Sequence, residues 1–227
     1  MAKDAENTGR AVWLVRHGHR ADEAGAPSEG LGLPPLSTRG RKEAHMLARS
    51  ITRPPDLLVA SPFVRAQETL APARARFPGT PFETWPVQEF TMIPAAMFEG
   101  TTCEDRESAI DAYWAAKDPT RNQGPGAESF VELIQRVETF IEALRARRER
   151  FTVVVSHGYT IQAALWRLRE PEAVLDGRAM DRFQAFRGIT PVPTVIVFPL
   201  TVGHAGTIHV GVPWRPLKGP GGPGPRD

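Results

Sequence analysis

The chain has 227 residues, of which 41% are hydrophobic and 24% are charged, and its formal net charge is +2. This composition is that of an ordinary globular protein, and so small a charge does not indicate nucleic acid as a partner. The single cysteine, Cys103, excludes a disulfide bond within the chain, and no apolar run approaches the ~20 residues that cross a bilayer.

The start of the sequence is polar and lacks the apolar centre of a signal peptide. We therefore expect a cytoplasmic protein with neither a membrane nor a nucleic acid as partner. Residues 1–10 and the Gly/Pro-rich residues 213–227 are expected to be disordered. Residues 11–212 are predicted to form one domain, with an insertion at about 91–126 where the pattern weakens.

The first part of the chain alternates predicted strands with predicted helices. In chain order they are a strand at 11–15, a helix at 36–51, a strand at 56–61, a helix at 62–77 and a strand at 82–90. Ser37 or Thr38 can cap the first helix, and Pro62 suits the first position of the second. Pro86 interrupts the third strand, because proline has no N–H group for a ladder.

The second part continues the same alternation. In chain order it predicts a short helix at 105–117, a helix from Glu128, a strand at 151–158, a helix at 159–168 and late strands at 194–200 and 207–212 that could pair. Alternating strands and helices predict an α/β fold with three layers, in which a mostly parallel central sheet has helices on both faces.

Two of the predicted strands end in a histidine that a glycine follows. Ligands of such sheets bind at the carboxyl ends of the strands, and guanidinium groups bind phosphate in a bidentate manner. The residues that we expect to share one phosphate site are Arg16, His17, Gly18, Arg65, His157 and Gly158.

The motifs resemble those of the histidine phosphatase superfamily, in its phosphoglycerate mutase-like branch with an Arg-His-Gly signature. The similar segments are, in chain order, "LVRHG", "LSTRGRKEA", "ASPFVRAQET", "GAESFVELIQRV" and "VVSHG". The resemblance implies a phosphoglycerate mutase-like fold and assigns His17 as the nucleophile that becomes a phosphohistidine. Arg16, Arg65 and His157 would line the phosphate pocket with it.

The resemblance also implies a carboxylic acid after the third strand that protonates the leaving oxygen. Glu89 occupies that position, and Glu99 is the alternative. The implied activity is that of a histidine acid-type phosphomonoesterase, a hydrolase that needs no cofactor and no metal. Its partner would be a small phosphorylated substrate or a phosphopeptide, and a homodimer is left open.

Two alternatives keep the phosphate pocket but change the function. A phosphoglycerate mutase-type phosphotransferase needs basic residues after the acid to hold a substrate carboxylate, and residues 89–98 contain none. Hydrolysis is therefore favoured over phosphate transfer. The second alternative is a non-catalytic phospholigand-binding protein, which the intact set of candidate residues disfavours.

Other chemistries find less support in the sequence. A cysteine-dependent phosphatase requires an arginine six residues after its cysteine. The residue six positions after Cys103 is Ala109, so the chain lacks this motif. Metal binding by His17 and His19 has only Asp22 nearby as a further ligand. The remaining histidines are expected to be structural or at the surface: His45, His204 and His209. Specificity is expected to lie in residues 91–126, although aromatic side chains there more often pack in the core.

Overall fold

The computed structural model describes residues 9–24 and 27–216. The strands are β1 (Arg10–Arg16), β2 (Leu57–Ala60), β3 (Phe82–Thr84), β4 (Phe151–Ser156), β5 (Val197–Val202) and β6 (Ile208–Val210). The helices are α1 (Thr38–Ser50), α2 (Val64–Arg76), α3 (Glu107–Ala115), α4 (Phe130–Ala146), α5 (Gly158–Arg169) and α6 (Gly177–Ile189). Short 3₁₀ helices cover Ala21–Ala24 and Ala95–Met97.

Within the described residues the strands form one sheet in the order β3-β2-β4-β1-β5-β6. The pairs β2–β3, β2–β4 and β1–β4 are parallel, whereas β5 is antiparallel to β1 and to β6. The α/β fold with a mostly parallel sheet is confirmed, and the two late strands do pair. Arg16 lies opposite Ser156 in the ladder, so the residues that follow β1 and β4 emerge side by side.

Strand β1 shows how the sequence forms three layers. Its side chains alternate between the faces of the sheet, as those of any strand do. Trp13 and Val15 face the core formed with α1 and α2, and Val12 and Leu14 face the core formed with α4, α5 and α6. Because both faces are buried, the strand reads as a continuous apolar run rather than an alternating one.

Helix starts are set by side-chain caps where the sequence offers them. Ser37, one of the two predicted candidates, caps α1 by accepting from the N–H of Gly40. Ser129 and Glu132 form a capping box at the start of α4. Helix α5 begins directly after β4, so its first N–H groups lie at the carboxyl end of the sheet.

Two predicted boundaries differ clearly from the structure, and one helix was not predicted. Pro62 precedes α2, which begins at Val64 with Phe63 as its N-cap residue. Strand β3 ends at Thr84, because Pro86 cannot donate to a ladder and the chain turns into a loop. Helix α6 had no strong sequence signal, since only three of its 13 residues are buried.

The ends of the domain extend slightly beyond the predicted limits. Arg10 is the first residue of β1 rather than part of a disordered segment. Trp214 pairs with Val197 and packs against Trp13, with ring centroids 4.9 Å apart, so the predicted tail begins too early. The rest of both predicted segments, 1–8 and 217–227, lies outside the described residues.

The predicted insertion contains the 3₁₀ helix at Ala95–Met97 and helix α3. Its aromatic residues pack rather than point into solvent: Tyr113 is fully buried, and Trp114 contacts Phe130 and Phe183. Among the described helices, none combines the length and the apolar character needed to cross a membrane.

Candidate active site

Four strand ends bring the predicted site residues together. His17 follows β1, His157 follows β4, Arg65 lies in the first turn of α2 after β2, and Glu89 lies in the loop after β3. The rings of His17 and His157 have centroids 4.9 Å apart. His17 and Arg65 are 2% and 3% exposed, and His157 is fully buried, so the site lies largely below the surface.

The hydrogen bonds of His17 determine which of its nitrogens carries a proton. Nδ1 lies 2.7 Å from the carbonyl oxygen of Gly18. A carbonyl oxygen only accepts, so Nδ1 is the donor. Nε2 in turn accepts from the Nε–H group of Arg65 across 3.2 Å. The ring is therefore neutral, with the lone pair of Nε2 turned toward the guanidinium.

Burial and the neighbouring arginines keep both imidazoles neutral. Burial lowers the pKa of His17 well below its ordinary value, and the charges of Arg65 and Arg16 lower it further. The pKa of His157 is lowered in the same way by burial and then by Arg65. Burial also lowers the pKa of Arg65 to about 10, which leaves its guanidinium charged at neutral pH.

His157 is oriented by Ser61, the residue that ends the apolar run of β2. Nε2 of His157 lies 2.7 Å from Oγ of Ser61, which also accepts from the N–H of Phe63. We assign the Ser61 hydroxyl as the donor and Nε2 of His157 as the acceptor. The neutral imidazole then carries its proton on Nδ1. That buried Nδ1 has no hydrogen-bond partner among the described residues.

Glu89 is held at the N-terminus of α5. Its carboxylate accepts from the N–H groups of Gly158, across 3.1 Å, and Tyr159, across 3.0 Å. A Cβ atom at Gly158 would lie 3.7 Å from Oε2 of Glu89 and 3.9 Å from Nε of Arg16. The side chains of Glu89 and Arg16 therefore both lie beside this glycine. Glu99, the alternative acid, is exposed and does not line the pocket beside Arg65.

The loop after β1 is fixed by contacts with α1 and α2. The N–H of Gly18 donates to Oγ1 of Thr69 across 2.9 Å, and that hydroxyl donates to the carbonyl of Arg65. A Cβ at Gly18 would lie 2.9 Å from the carbonyl oxygen of Gly40, so this close approach of α1 requires a glycine.

Arg16 and His19, on either side of His17 in the loop, make hydrogen bonds with other elements. Arg16 donates through Nη1 to the carbonyl of Val192 across 2.8 Å. The backbone N–H of His19 donates to buried Glu43, and its Nδ1 lies 2.9 Å from Oγ of Ser37. His19 therefore joins the loop to α1. The described part of the chain places no three histidine, cysteine or acidic side chains together as a metal site would require.

Sequence reasoning missed three supporting residues of the site. Ser61 could have been found from its position at a strand end, and Thr69 from its position one turn after Arg65 on the same helix. Glu43 is buried although charged, which its place in an amphipathic helix did not indicate. The three remaining histidines are exposed, as expected: His45, His204 and His209.

A small pocket opens beside these groups. Its lining includes Arg65 and Glu89, and also Arg20, which forms an ion pair with Asp22 across 2.9 Å. The cations and neutral imidazoles of the site suit a phosphate ester, since the cations complement the phosphoryl oxygens.

Sequence comparisons identify the family to which the chain belongs. The model of the histidine phosphatase superfamily (branch 1) matches residues 12–181. Human 6-phosphofructo-2-kinase/fructose-2,6-bisphosphatase 4 is 31% identical over 162 residues, which are 70% of this chain but 32% of that protein. The match thus spans about a third of that relative's length. Phosphoserine phosphatase 1 of Hydrogenobacter thermophilus is 30% identical over 155 residues, 66% of this chain and 72% of that protein.

Solved structures share the fold. A putative alpha-ribazole-5′-P phosphatase of Escherichia coli superposes with a TM-score of 0.70 at 22% identity, covering 95% of this chain and 100% of that one. Bacillus stearothermophilus YhfR gives a TM-score of 0.69 at 22% identity and covers 89% and 96%. The family model and these folds confirm the resemblance seen in the motifs. The chain belongs to the histidine phosphatase superfamily, in its branch 1.

Proposed function

We propose that this protein hydrolyses phosphomonoesters through a phosphohistidine intermediate on His17. The observation that carries the proposal is the state of His17: a buried, neutral imidazole whose Nε2 lone pair faces the guanidinium of Arg65. A neutral ring nitrogen can attack phosphorus, and the adjacent cation can hold the phosphoryl oxygens. The phosphatase names of the sequence relatives support the same reaction type.

The first half-reaction transfers the phosphoryl group to His17. Nε2 forms a bond to phosphorus while the bond from phosphorus to the ester oxygen breaks. Arg16 and Arg65 neutralise the phosphoryl oxygens, and the Nδ1–H group of His157 donates to one of them. These groups carry their charge or proton before the substrate arrives, so little reorganisation is needed in the transition state.

Glu89 is the proposed proton donor to the leaving alkoxide. Two backbone hydrogen bonds hold its carboxyl group at the N-terminus of α5, beside the proposed phosphate site. The acid form gives its proton to the leaving oxygen as the bond from phosphorus to that oxygen breaks. In the second half-reaction the same carboxylate takes a proton from water, which attacks phosphorus and releases phosphate and neutral His17.

Two features favour water over a second hydroxyl as the acceptor. Residues 89–98 contain no basic side chain, and Arg20, the further cation of the pocket lining, is paired with Asp22. A mutase would need a cation for the carboxylate of its substrate. The lowered pKa values of His17 and His157 also support the acid-type activity, because both rings stay neutral well below pH 6.5.

The test is release of phosphate from p-nitrophenyl phosphate between about pH 5 and pH 8, by the wild type and by His17→Ala. We expect turnover by the wild type and none by the variant. Binding of inorganic phosphate without turnover would favour the non-catalytic phospholigand-binding alternative. Interconversion of phosphoglycerates, in the presence of bisphosphoglycerate and faster than hydrolysis, would favour the mutase.

A further inference from the structure

A second depression adjoins the phosphate pocket at the carboxyl ends of β2 and β3. Its volume is about 480 Å³. Leu31 and Thr91 line both depressions, so the two are adjacent. None of the described residues that line this second depression is ionisable. We call it the apolar groove.

Phe63 connects the apolar groove to the catalytic groups. Its ring centroid lies 5.2 Å from that of His157 and 4.9 Å from Cζ of Arg65. On its other side, a Cβ at Gly32 would lie 2.6 Å from the ring, and Gly32 has a φ of +81°. The backbone thus packs directly on Phe63, which fixes this wall of the groove beside the phosphate pocket.

Trp85, a second aromatic residue of the groove lining, is also held by its neighbours. Trp85 packs on Phe140, with ring centroids 6.1 Å apart, and donates through Nε1 to Glu83 across 2.7 Å. Because both aromatic residues are held by neighbours, the groove is present before any ligand binds. A preformed apolar site costs a ligand little ordering of the protein.

Arg136 is one cation behind the groove, and its charge is already paired with Glu128. Arg136 donates through Nη1 to the carbonyls of Pro86 and Gln88, two residues of the groove lining. Its Nε and Nη2 atoms pair with the two carboxylate oxygens of Glu128, across 2.6 and 2.7 Å. A charged group in the groove would therefore lose water without gaining a free counter-charge from Arg136.

We propose that the apolar groove binds the alcohol portion of the substrate, and that this alcohol is uncharged and mainly apolar. The inference rests on the proposed phosphatase function, because it is the phosphoryl group at His17 that aligns the ester with the groove. Substrates with a long alkyl or an aryl leaving group fit it, whereas esters with a carboxylate close to the phosphate do not.

A series of primary alkyl phosphates tests this without changing the chemistry. Ethyl, butyl, hexyl and octyl phosphate release alcohols of nearly equal acidity, so differences in kcat/KM report contacts made by the chain. Each methylene group that becomes fully buried raises kcat/KM by up to about fourfold, and one that packs in an open groove raises it by about twofold. We expect kcat/KM to rise at least about tenfold from ethyl to octyl phosphate.

Thr84 offers a way to locate the effect. It is exposed at the rim of the groove, and Thr84→Glu would place a carboxylate there. This variant should lose most of the chain-length gain, measured as the ratio of its kcat/KM for octyl phosphate to its kcat/KM for ethyl phosphate. Thr139→Glu makes the same exchange at an exposed position of α4 and should leave the gain intact.

Calorimetry with the matching alkylphosphonates separates this inference from the function on which it rests. Turnover of the whole series with a flat kcat/KM would overturn the groove and leave the phosphatase standing. Tighter binding of longer phosphonates without any turnover would support the groove and overturn the phosphatase. A gain that persists unchanged in Thr84→Glu would contradict the proposed location.

Discussion

The Nε–H group of Arg65 donates to Nε2 of His17 across 3.2 Å, and both side chains are buried. This contact sets a cation against the atom that must remain unprotonated to attack phosphorus. Repulsion between the guanidinium and an imidazolium adds to burial in lowering the pKa of His17. The cation proposed to bind phosphate thus also keeps the nucleophile available.

Replacing Arg65 should change the pH dependence of the reaction. In Arg65→Gln the cation is absent, so the pKa of His17 moves back up toward its usual 6.5. The acidic limb of the kcat/KM profile should shift to higher pH, and inhibition by inorganic phosphate should weaken at least about tenfold. Arg49→Gln, at an exposed position of α1, is the matched control. An unmoved acidic limb in Arg65→Gln would count against this role.

Replacing Glu89 should separate good leaving groups from poor ones. Glu89→Gln cannot donate a proton to an alkoxide, so hydrolysis of alkyl phosphates should fall by about 10²- to 10⁴-fold. The p-nitrophenolate leaving group needs far less proton donation, so the rate of the first half-reaction with p-nitrophenyl phosphate should fall much less. A burst experiment isolates that half-reaction. Glu99→Gln should change neither rate. Equal losses on both substrates would remove Glu89 from the role of donor.

The buried histidines predict how stability depends on pH. An unfolded chain protonates each histidine near pH 6.5, whereas the lowered pKa values of His17 and His157 keep both rings neutral in the folded state. Below pH 6.5 the unfolded state therefore binds more protons. The free energy of unfolding should rise with pH in this range, by up to about 1.4 kcal/mol per pH unit for each histidine and less steeply as the pH approaches 6.5.

Urea unfolding between about pH 5 and pH 6.5 measures this slope. His157→Gln should lower it by the contribution of one histidine, and the exposed His45→Gln should leave it unchanged. If the curves of His157→Gln and the wild type run parallel, His157 does not stay neutral in the folded state.

Turnover should survive a chelating agent. Nδ1 of His17 is engaged by the carbonyl of Gly18, its Nε2 faces the Arg65 cation, and Nδ1 of His19 lies against Ser37. These contacts oppose a shared metal. Loss of activity on chelation, with recovery on adding one divalent metal, would restore the metal site that the sequence left open at His17 and His19.

Much of the fold and of the site follows from local sequence. The apolar runs of β1, β2 and β4 predict buried parallel strands, and their carboxyl ends place His17, Arg65 and His157 at one edge. Pairing of Arg16 with Ser156 in the ladder makes the two histidines neighbours. A sequence pattern can indicate this convergence because the register of parallel strands brings equivalent strand ends together.

Other features depend on contacts that no local pattern encodes. Buried Glu43 accepts hydrogen bonds from the N–H of His19 and from Oγ1 of Thr194. Thr194 lies 151 residues after Glu43 in the chain. The neutral state of His17 arises first from its burial and then from the charges of Arg65 and Arg16, which lower its pKa. Helix α6 was not predicted because too few of its residues are buried to form a periodic apolar stripe. It is held in place by the packing of residues such as Phe183 in the core.

The most direct test is to trap and locate the phosphorylated residue. The wild type is mixed with a ³²P-labelled phosphomonoester, denatured at alkaline pH to preserve phosphohistidine, and digested for peptide mapping. We expect label on His17 in the wild type, and neither label nor turnover in His17→Ala. Label on another residue, or turnover by His17→Ala, would contradict the account.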